Sequence, residues 1–127
     1  MIGHLWTTVI DCPDPSTLAA FYEKLLSLSR LEDTPEFVVL GSTSGTEVVA
    51  FQKVDDYRRP QWSNPEHPQQ MHIDVMVPDL DIAEPQVLAL GATLLDGSDK
   101  PIGYRVYADP VGHPFCLVTP QEETEGI

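Results

Sequence analysis

The chain is poor in basic residues, and this shortage restricts its partners. Its 127 residues include 7 Lys+Arg against 20 Asp+Glu, which gives a formal net charge of −13. Such an excess of negative charge repels phosphate backbones and anionic lipid headgroups. We therefore expect neither nucleic acid nor a membrane surface as a partner, and we favour a neutral or cationic small molecule over a polyanion.

Cysteines and long apolar runs are also scarce. The two cysteines, Cys12 and Cys116, fall in predicted strands and do not argue for a disulfide framework. The longest apolar runs, such as 18–22, 37–40 and 48–51, have four or five residues, whereas a membrane helix needs about 20. Met1 leads into the first predicted strand without the basic and apolar regions of an export signal. These observations predict a cytoplasmic protein.

The main positive feature of the chain is an internal repeat. Residues 7–14 (TTVIDCPD) are echoed by residues 72–79 (HIDVMVPD), 65 positions later (79 − 14 = 65). Each copy is a short apolar strand that ends in Pro-Asp and leads into apolar residues with the spacing of an amphipathic helix. Asp14 and Pro15 are suited to begin the first helix, and Gly91 is suited to end the second. The repeat predicts two related modules.

Both halves predict the same order of elements. In the first module, about residues 5–54, the predictions are a strand at 5–12, a helix from 15 to about 28, and strands near Leu31, at 37–40 and at 47–54. In the second, about residues 71–120, they are a strand at 72–77, a helix at 80–90, and strands at 93–95, 104–108 and 114–118. Pro85 predicts an irregular or late first turn in the second helix.

Two further segments complete the predicted organisation. The proline-bearing, polar residues 55–70 are interpreted as an ordered arm between the modules, and 121–127 as an acidic tail. We predict a single domain over residues 1–127, of the α+β class. Its two βαβββ modules would form a curved mixed sheet around a central cavity.

Several motifs occur in an order that resembles a known family. They are DCPDP at 11–15, HIDVMV at 72–77, LALGA at 88–92 and ADPVGHPFCLV at 108–118. Together they resemble the glyoxalase / bleomycin-resistance / extradiol-dioxygenase (vicinal oxygen chelate) superfamily, and within it the bacterial glyoxalase-like domain branch. The resemblance covers about residues 5 to 120. It implies the fold described above and a homodimer, because modules of this family often pair across subunits.

The alternation of side chains along strands predicts which residues face the cavity. In the fifth strand Ile73 and Val75 should face the helix, so His72, Asp74 and Met76 should face the cavity. The predicted ligand contacts, including the corresponding residues of the first strand and candidate walls elsewhere, are Thr7, Val9, Phe51, Trp62, His72, Asp74, Met76, Tyr104 and Cys116.

The resemblance also implies where a metal ion would bind. Metal-dependent members use four ligand positions, two in each module. Here these correspond to Thr7, to residues 50–52, to His72 and to Cys116, and only His72 is the usual ligand. We therefore predict no cofactor and no family metal site, with a divalent metal as the alternative.

Two other ligand sets remain open. His72 and Asp74 have the His-x-Asp spacing of facial-triad iron sites, with His113 as a third ligand, and His72 with Cys116 would suit a soft metal. For His113 we favour the alternative that it is a turn residue that hydrogen-bonds to nearby backbone. Cys116 has no neighbouring base in the sequence and is interpreted as a small buried apolar residue.

Two functions follow from these alternatives. The favoured one is a metal-free protein that sequesters or senses a hydrophobic small molecule, with His72 and Asp74 as polar anchors. The other is a lyase, isomerase or dioxygenase, in which His72 would act as a general base or a metal ligand. A histidine that is merely hydrogen-bonded inside the cavity would serve neither function.

Overall fold

The internal repeat folds as two modules of the same topology. A computed structural model describes residues 2–61, 64–97 and 103–120. The described chain divides into two compact units between Arg58 and Arg59, and each unit contains one βαβββ module. The predicted wall residue Trp62 and the predicted tail 121–127 lie outside the described residues. That the modules together form one domain around a cavity stays a prediction.

The first module consists of one helix and one open four-stranded sheet. Its elements are β1 (Thr8–Cys12), α1 (Pro15–Leu26), β2 (Ser29–Asp33), β3 (Phe37–Gly41) and β4 (Glu47–Lys53). The strand order is β1-β4-β3-β2. The pair β1 and β4 is parallel, whereas the other two pairs are antiparallel. The sheet is therefore mixed, as predicted.

The second module repeats this arrangement. Its elements are β5 (Ile73–Met76), α2 (Leu80–Leu90), β6 (Thr93–Asp96), β7 (Tyr104–Ala108) and β8 (Pro114–Val118). The order β5-β8-β7-β6 has the same parallel and antiparallel pairs. The predicted α+β class and the two βαβββ modules are confirmed. Among the described residues, no helix is both long and apolar enough to cross a bilayer.

Some element boundaries differ from the prediction. The strand β1 begins at Thr8 because its parallel pairing with β4 begins there, opposite Val49. The helix α1 ends at Leu26 because Ser27 adopts a left-handed conformation (φ 55°), and its N–H donates to the carbonyl of Glu23. Such a residue ends the helix and satisfies one of its last carbonyl groups.

The prediction of an irregular or late start to α2 is wrong. The helix begins at Leu80, where the Asp79 carboxylate accepts hydrogen bonds from the backbone N–H groups of Asp81 and Ile82. These bonds satisfy two of the first helical N–H groups, which have no partner within the helix. Pro85 lies beyond this capped turn and removes only one later N–H donor.

The core of the first module is aromatic. Tyr22 of α1 stacks on Phe51 of β4, with ring centroids 5.3 Å apart, and meets Phe21 edge-on at 4.9 Å. All three side chains are buried. Burying such a side chain stabilises the fold by about 1.5–3 kcal/mol, so this cluster attaches α1 to its sheet.

In the second module the helix and sheet are joined by polar contacts as well. Tyr107 stacks on Phe115 at 5.5 Å, and its hydroxyl donates to Glu84 of α2 at 2.7 Å. The buried Arg105 guanidinium donates to Asp81 at 2.6 Å and to Glu84 at 3.2 Å. Arg105 and Tyr107 alternate with Tyr104 and Val106 along β7, so these contacts identify the face of the sheet that is covered by α2.

Part of the predicted arm is attached to the second module. The guanidinium of Arg59 donates to the carbonyl of Pro110 at 2.8 Å and to that of Val111 at 3.2 Å. Within the arm, the N–H of Gln61 donates to the carbonyl of His67 at 2.6 Å. These bonds give the described part of the arm a defined conformation.

Candidate functional site

The polar residues of interest lie on the face of the second-module sheet opposite α2, here called the far face. The register pairs Asp74 of β5 with Cys116 of β8, and Cys116 with Val106 of β7. The next row on the same face is Met76, Val118 and Tyr104. Paired residues project to the same side of a sheet. The far face therefore carries two adjacent rows of side chains. One row is Asp74, Cys116 and Val106, and the other, the apolar row, is Met76, Val118 and Tyr104.

His72 and Asp74 form a solvent-accessible pair at the edge of this face. The Nε2 atom of His72 lies 3.3 Å from the Oδ1 atom of Asp74, and the two side chains are 31% and 41% exposed. Their spacing of about 7 Å along the strand gave no reason to expect contact. The side chains nevertheless lean toward each other. A carboxylate at this distance can fix the orientation of an imidazole ring.

Cys116 lies beside this pair. Its thiol, an imidazole nitrogen of His72 and a carboxylate oxygen of Asp74 all lie within 4.8 Å of one another. Among the described residues, this is the one group of three or more potential metal ligands that converges in this way. Cys116 is itself buried, as predicted, in a cluster with Val106 and Val118.

The sequence places no base next to Cys116, whereas the fold sets the imidazole of His72 beside its thiol. The base is brought to it by the parallel pairing of β5 with β8, which are the first and last strands of the module. Such pairing joins residues far apart in the sequence. The repeat could have revealed this proximity. In a βαβββ module whose first and last strands pair in parallel, Cys116 lies opposite Asp74.

The exposure of the side chains along β5 agrees with the faces predicted for this strand. Val75 is buried, whereas Asp74 and Met76 are exposed, so the alternation predicted for this strand is confirmed. Tyr104, whose register the sequence did not determine, lies on the far face and packs against the buried cluster.

Phe51 does not belong to the predicted site. It pairs with Ile10 and Val38 on the side of the first sheet that carries α1, where it stacks on Tyr22 and is fully buried. The prediction that Phe51 forms a ligand wall is therefore wrong. Its side chain belongs to the aromatic core.

The remaining predicted contacts are in the first module. Val9 is exposed, as the alternation along β1 requires. The hydroxyl of Thr7 is buried and has no hydrogen-bond partner among the described residues. A role for either residue in ligand binding stays a prediction.

The four positions implied for a family metal do not form a ligand set. Thr7 supplies only a hydroxyl, and residues 50–52 supply a buried alanine, the core residue Phe51 and an exposed glutamine. Metal sites of the kinds found in proteins are built from imidazole, thiolate and carboxylate groups. The first module has no such group at these positions.

His113 has the structural role that was weighed against a metal ligand. Its N–H donates to the Asp109 carboxylate at 3.0 Å, and its carbonyl accepts from the N–H of Asp109 at 2.8 Å. The same carboxylate accepts from the N–H of Val111. These bonds shape the turn between β7 and β8. His113 does not join the group formed by His72, Asp74 and Cys116.

A groove of about 610 Å³ lies in the first module, between the start of α1 and the turn that joins β2 to β3. Its charged groups are Asp14, Asp33 and Lys53. A hydrogen bond from the Thr17 hydroxyl lowers the pKa of Asp14. Among the described residues that line the groove there is neither histidine nor cysteine, so we place the candidate site on the far face instead.

The family follows from a comparison with sequence models. The model of the glyoxalase-like domain matches residues 7–118, nearly the whole chain. The chain belongs to the glyoxalase-like domain family. The resemblance noted from its motifs is thereby confirmed. A search of curated proteins found no match.

Solved structures of related folds support the same assignment. A glyoxalase/bleomycin resistance protein/dioxygenase family enzyme from Burkholderia phytofirmans PsJN superposes with a TM-score of 0.70 at 21% identity, covering 92% of this chain and 98% of that one. The fosfomycin resistance protein FosX from Listeria monocytogenes gives 0.69 at 15% identity, covering 100% and 99%. The trypanothione-dependent glyoxalase I of Leishmania major gives 0.67 at 16% identity, covering 97% and 91%. At these identities the likeness concerns the fold alone.

Proposed function

We propose that this glyoxalase-like protein binds a neutral or cationic, partly aromatic small molecule at the far face of its second module, and that it sequesters or senses that molecule. The observation that carries the proposal is the accessible pair of His72 and Asp74, 3.3 Å apart, beside an exposed methionine on the same face. The four-position metal site of family enzymes is not part of this function.

The polar anchors favour a ligand with hydrogen-bond donors or positive charge. Asp74 accepts hydrogen bonds only, whereas neutral His72 offers one donor and one acceptor. The net charge of −13 adds a long-range field that disfavours anions. A ligand with a hydroxyl, amine or amide group therefore matches this edge of the sheet.

The neighbouring row supplies the apolar contacts. Met76 is 50% exposed and pairs with Val118, which in turn pairs with Tyr104. Because strands lie about 4.8 Å apart, this row is about 10 Å wide, and it is accessible at Met76, since Val118 is buried. Thr7 and Val9 are proposed as additional contacts from the first module.

An enzymatic function is the second candidate, and one observation favours it. The thiol of Cys116 lies near an imidazole and a carboxylate, and such a group can support proton transfer or hold a metal ion. A lyase, isomerase or dioxygenase activity would use that group. We also propose a cytoplasmic location, since Cys12 and Cys116 are buried and form no disulfide and thiols stay reduced in that compartment.

The proposal is tested by a thermal-shift screen of small neutral and cationic aromatic compounds, carried out in the presence of EDTA. For compounds that bind the parent protein, His72→Ala and Asp74→Asn should each weaken binding about ten- to hundredfold, the effect of losing a charge-assisted hydrogen bond. His67→Ala and Asp56→Asn, exposed residues outside the far face, are the matched controls. Equal affinity in all four variants would show that this is not the binding site.

A further inference from the structure

We infer that His72, Asp74 and Cys116 form a binding site for Zn²⁺ or a similar thiophilic divalent ion, built from the second module alone. One nitrogen, one oxygen and one sulfur donor lie within 4.8 Å of one another. This set shares His72 and Cys116 with the four family positions, but it adds Asp74 and requires no donor from the first module. It also does not depend on the binding of an organic ligand.

The separations of the donor atoms suit a tetrahedral ion. With bonds of about 2.0–2.3 Å, tetrahedral ligand atoms lie about 3.3–3.8 Å from one another. The Nε2 atom of His72 and the Oδ1 atom of Asp74 are already 3.3 Å apart. The thiol of Cys116 lies no more than 4.8 Å from the other two donors, so small side-chain rotations close the set.

The kinds of donor determine which ion is favoured. Thiolate and imidazole ligands select zinc and related transition metals, whereas Mg²⁺ and Ca²⁺ prefer all-oxygen sites. The backbone supports this selection, because Asp74 and Cys116 are paired in a parallel ladder. Ligands on paired strands are held more rigidly than ligands on loops.

The three donor residues differ in their exposure to solvent. Cys116 is 4% exposed and lies among Val106 and Val118, whereas the side chains of His72 and Asp74 remain accessible. An ion would therefore rest on the thiolate and be reached from solvent past the other two ligands. Three protein ligands leave a fourth position for water or a substrate oxygen, as in catalytic rather than structural zinc sites.

The test is a titration of the metal-stripped full-length protein with Co²⁺ alone, followed by absorption spectroscopy. The parent protein should bind one equivalent and develop a near-ultraviolet thiolate-to-cobalt charge-transfer band, which added Zn²⁺ removes. Cys116→Ser should abolish the band. His72→Ala and Asp74→Asn should weaken cobalt binding at least about tenfold, since each removes one of three ligands.

Matched controls make the result specific to this site. Cys12→Ser changes the other buried cysteine, whose thiol donates to the carbonyl of Gln52, and His67→Ala changes an exposed histidine of the arm. Both should keep the band and the affinity. If Cys116→Ser fails to fold by circular dichroism, the surface variants of His72 and Asp74 decide the matter.

A parent protein without the charge-transfer band, or a band that survives in Cys116→Ser, would overturn the inference. Unchanged cobalt affinity in folded His72→Ala and Asp74→Asn would do the same. The titration contains no organic ligand and the compound screen contains EDTA. Failure of the metal site and failure of the proposed ligand binding are therefore separate results.

Discussion

At the scale of single residues, the far face places a polar pair of side chains next to a buried thiol. His72 and Asp74 are polar and accessible, whereas Cys116 is enclosed by apolar neighbours. A thiol in an apolar setting is inert by itself. The role proposed for Cys116 as a ligand therefore depends on the imidazole and the carboxylate that lie beside it.

Tyr107 provides a test of the polar connection between α2 and the sheet. Its hydroxyl donates to Glu84 at 2.7 Å, and burial raises its pKa well above the ordinary value, as does that hydrogen bond. Tyr107→Phe should lower the free energy of unfolding at about pH 8 by about 1–3 kcal/mol, because a hydrogen bond to a charged acceptor is lost.

The same substitution should alter the dependence of stability on pH. Above about pH 10 a tyrosine in the unfolded chain ionises, whereas folded Tyr107 keeps its proton, so the parent protein loses stability as the pH rises. Tyr107→Phe has no ionisable hydroxyl at this position, so it does not lose stability in this way as the pH rises. Urea unfolding at about pH 8 and about pH 11 should therefore show a smaller difference between the two proteins at the higher pH. A constant difference would contradict the raised pKa.

At the scale of elements, glycines with positive φ next to strands differ in how closely other backbone segments approach them. Gly97 follows β6 with φ 113°, and a Cβ atom there would lie 2.9 Å from the Cα atom of Arg105. Gly45 also has a positive φ, 88°, but a Cβ atom there would meet nothing within 4 Å. Both glycines adopt a conformation that would strain any residue with a Cβ atom, and they differ in the space available for that atom.

Alanine substitutions should separate these two effects. Gly45→Ala should cost about 1–2 kcal/mol, the penalty for a left-handed residue with a Cβ atom. Gly97→Ala should cost about 1–3 kcal/mol more, because the backbone of β7 must move. Urea denaturation of both variants measures the difference, and equal costs would contradict the close approach.

The elements also show how far the sequence alone could predict the site. Polar and apolar residues alternate from His72 to Val75, so the face of each residue in β5 could be predicted. The segment 48–51 has four apolar residues in a row, and a strand with apolar residues on both faces has no alternation from which to assign them. Phe51 was misplaced for this reason.

Strand pairing was the other feature that local patterns could not provide. Helix and strand positions follow from nearby residues, and most were predicted to within a few positions. The convergence of Cys116 with His72 depends on which strands pair and in what register, and these are set by packing across the whole module. In the sequence, the repeat and the family resemblance carried information about this topology.

At the scale of the whole molecule, the family resemblance predicts a homodimer with the arm 55–70 among its contacts. One chain has a mass of 14.1 kDa, and light scattering at micromolar concentration should give twice this value. The described part of the arm is held to the second module through Arg59, so it presents a defined surface. A monomer mass under these conditions would contradict the prediction.

The acidic charge of the molecule and the position of its polar pair lead to one central claim: small molecules bind at the far face of the second module. The most direct test is a fragment screen by NMR on ¹⁵N-labelled protein in EDTA. Binding fragments should shift the amides of residues 72–76, 104–106 and 115–118. Shifts concentrated instead at Asp14, Asp33 and Lys53, around the groove of the first module, would contradict the account.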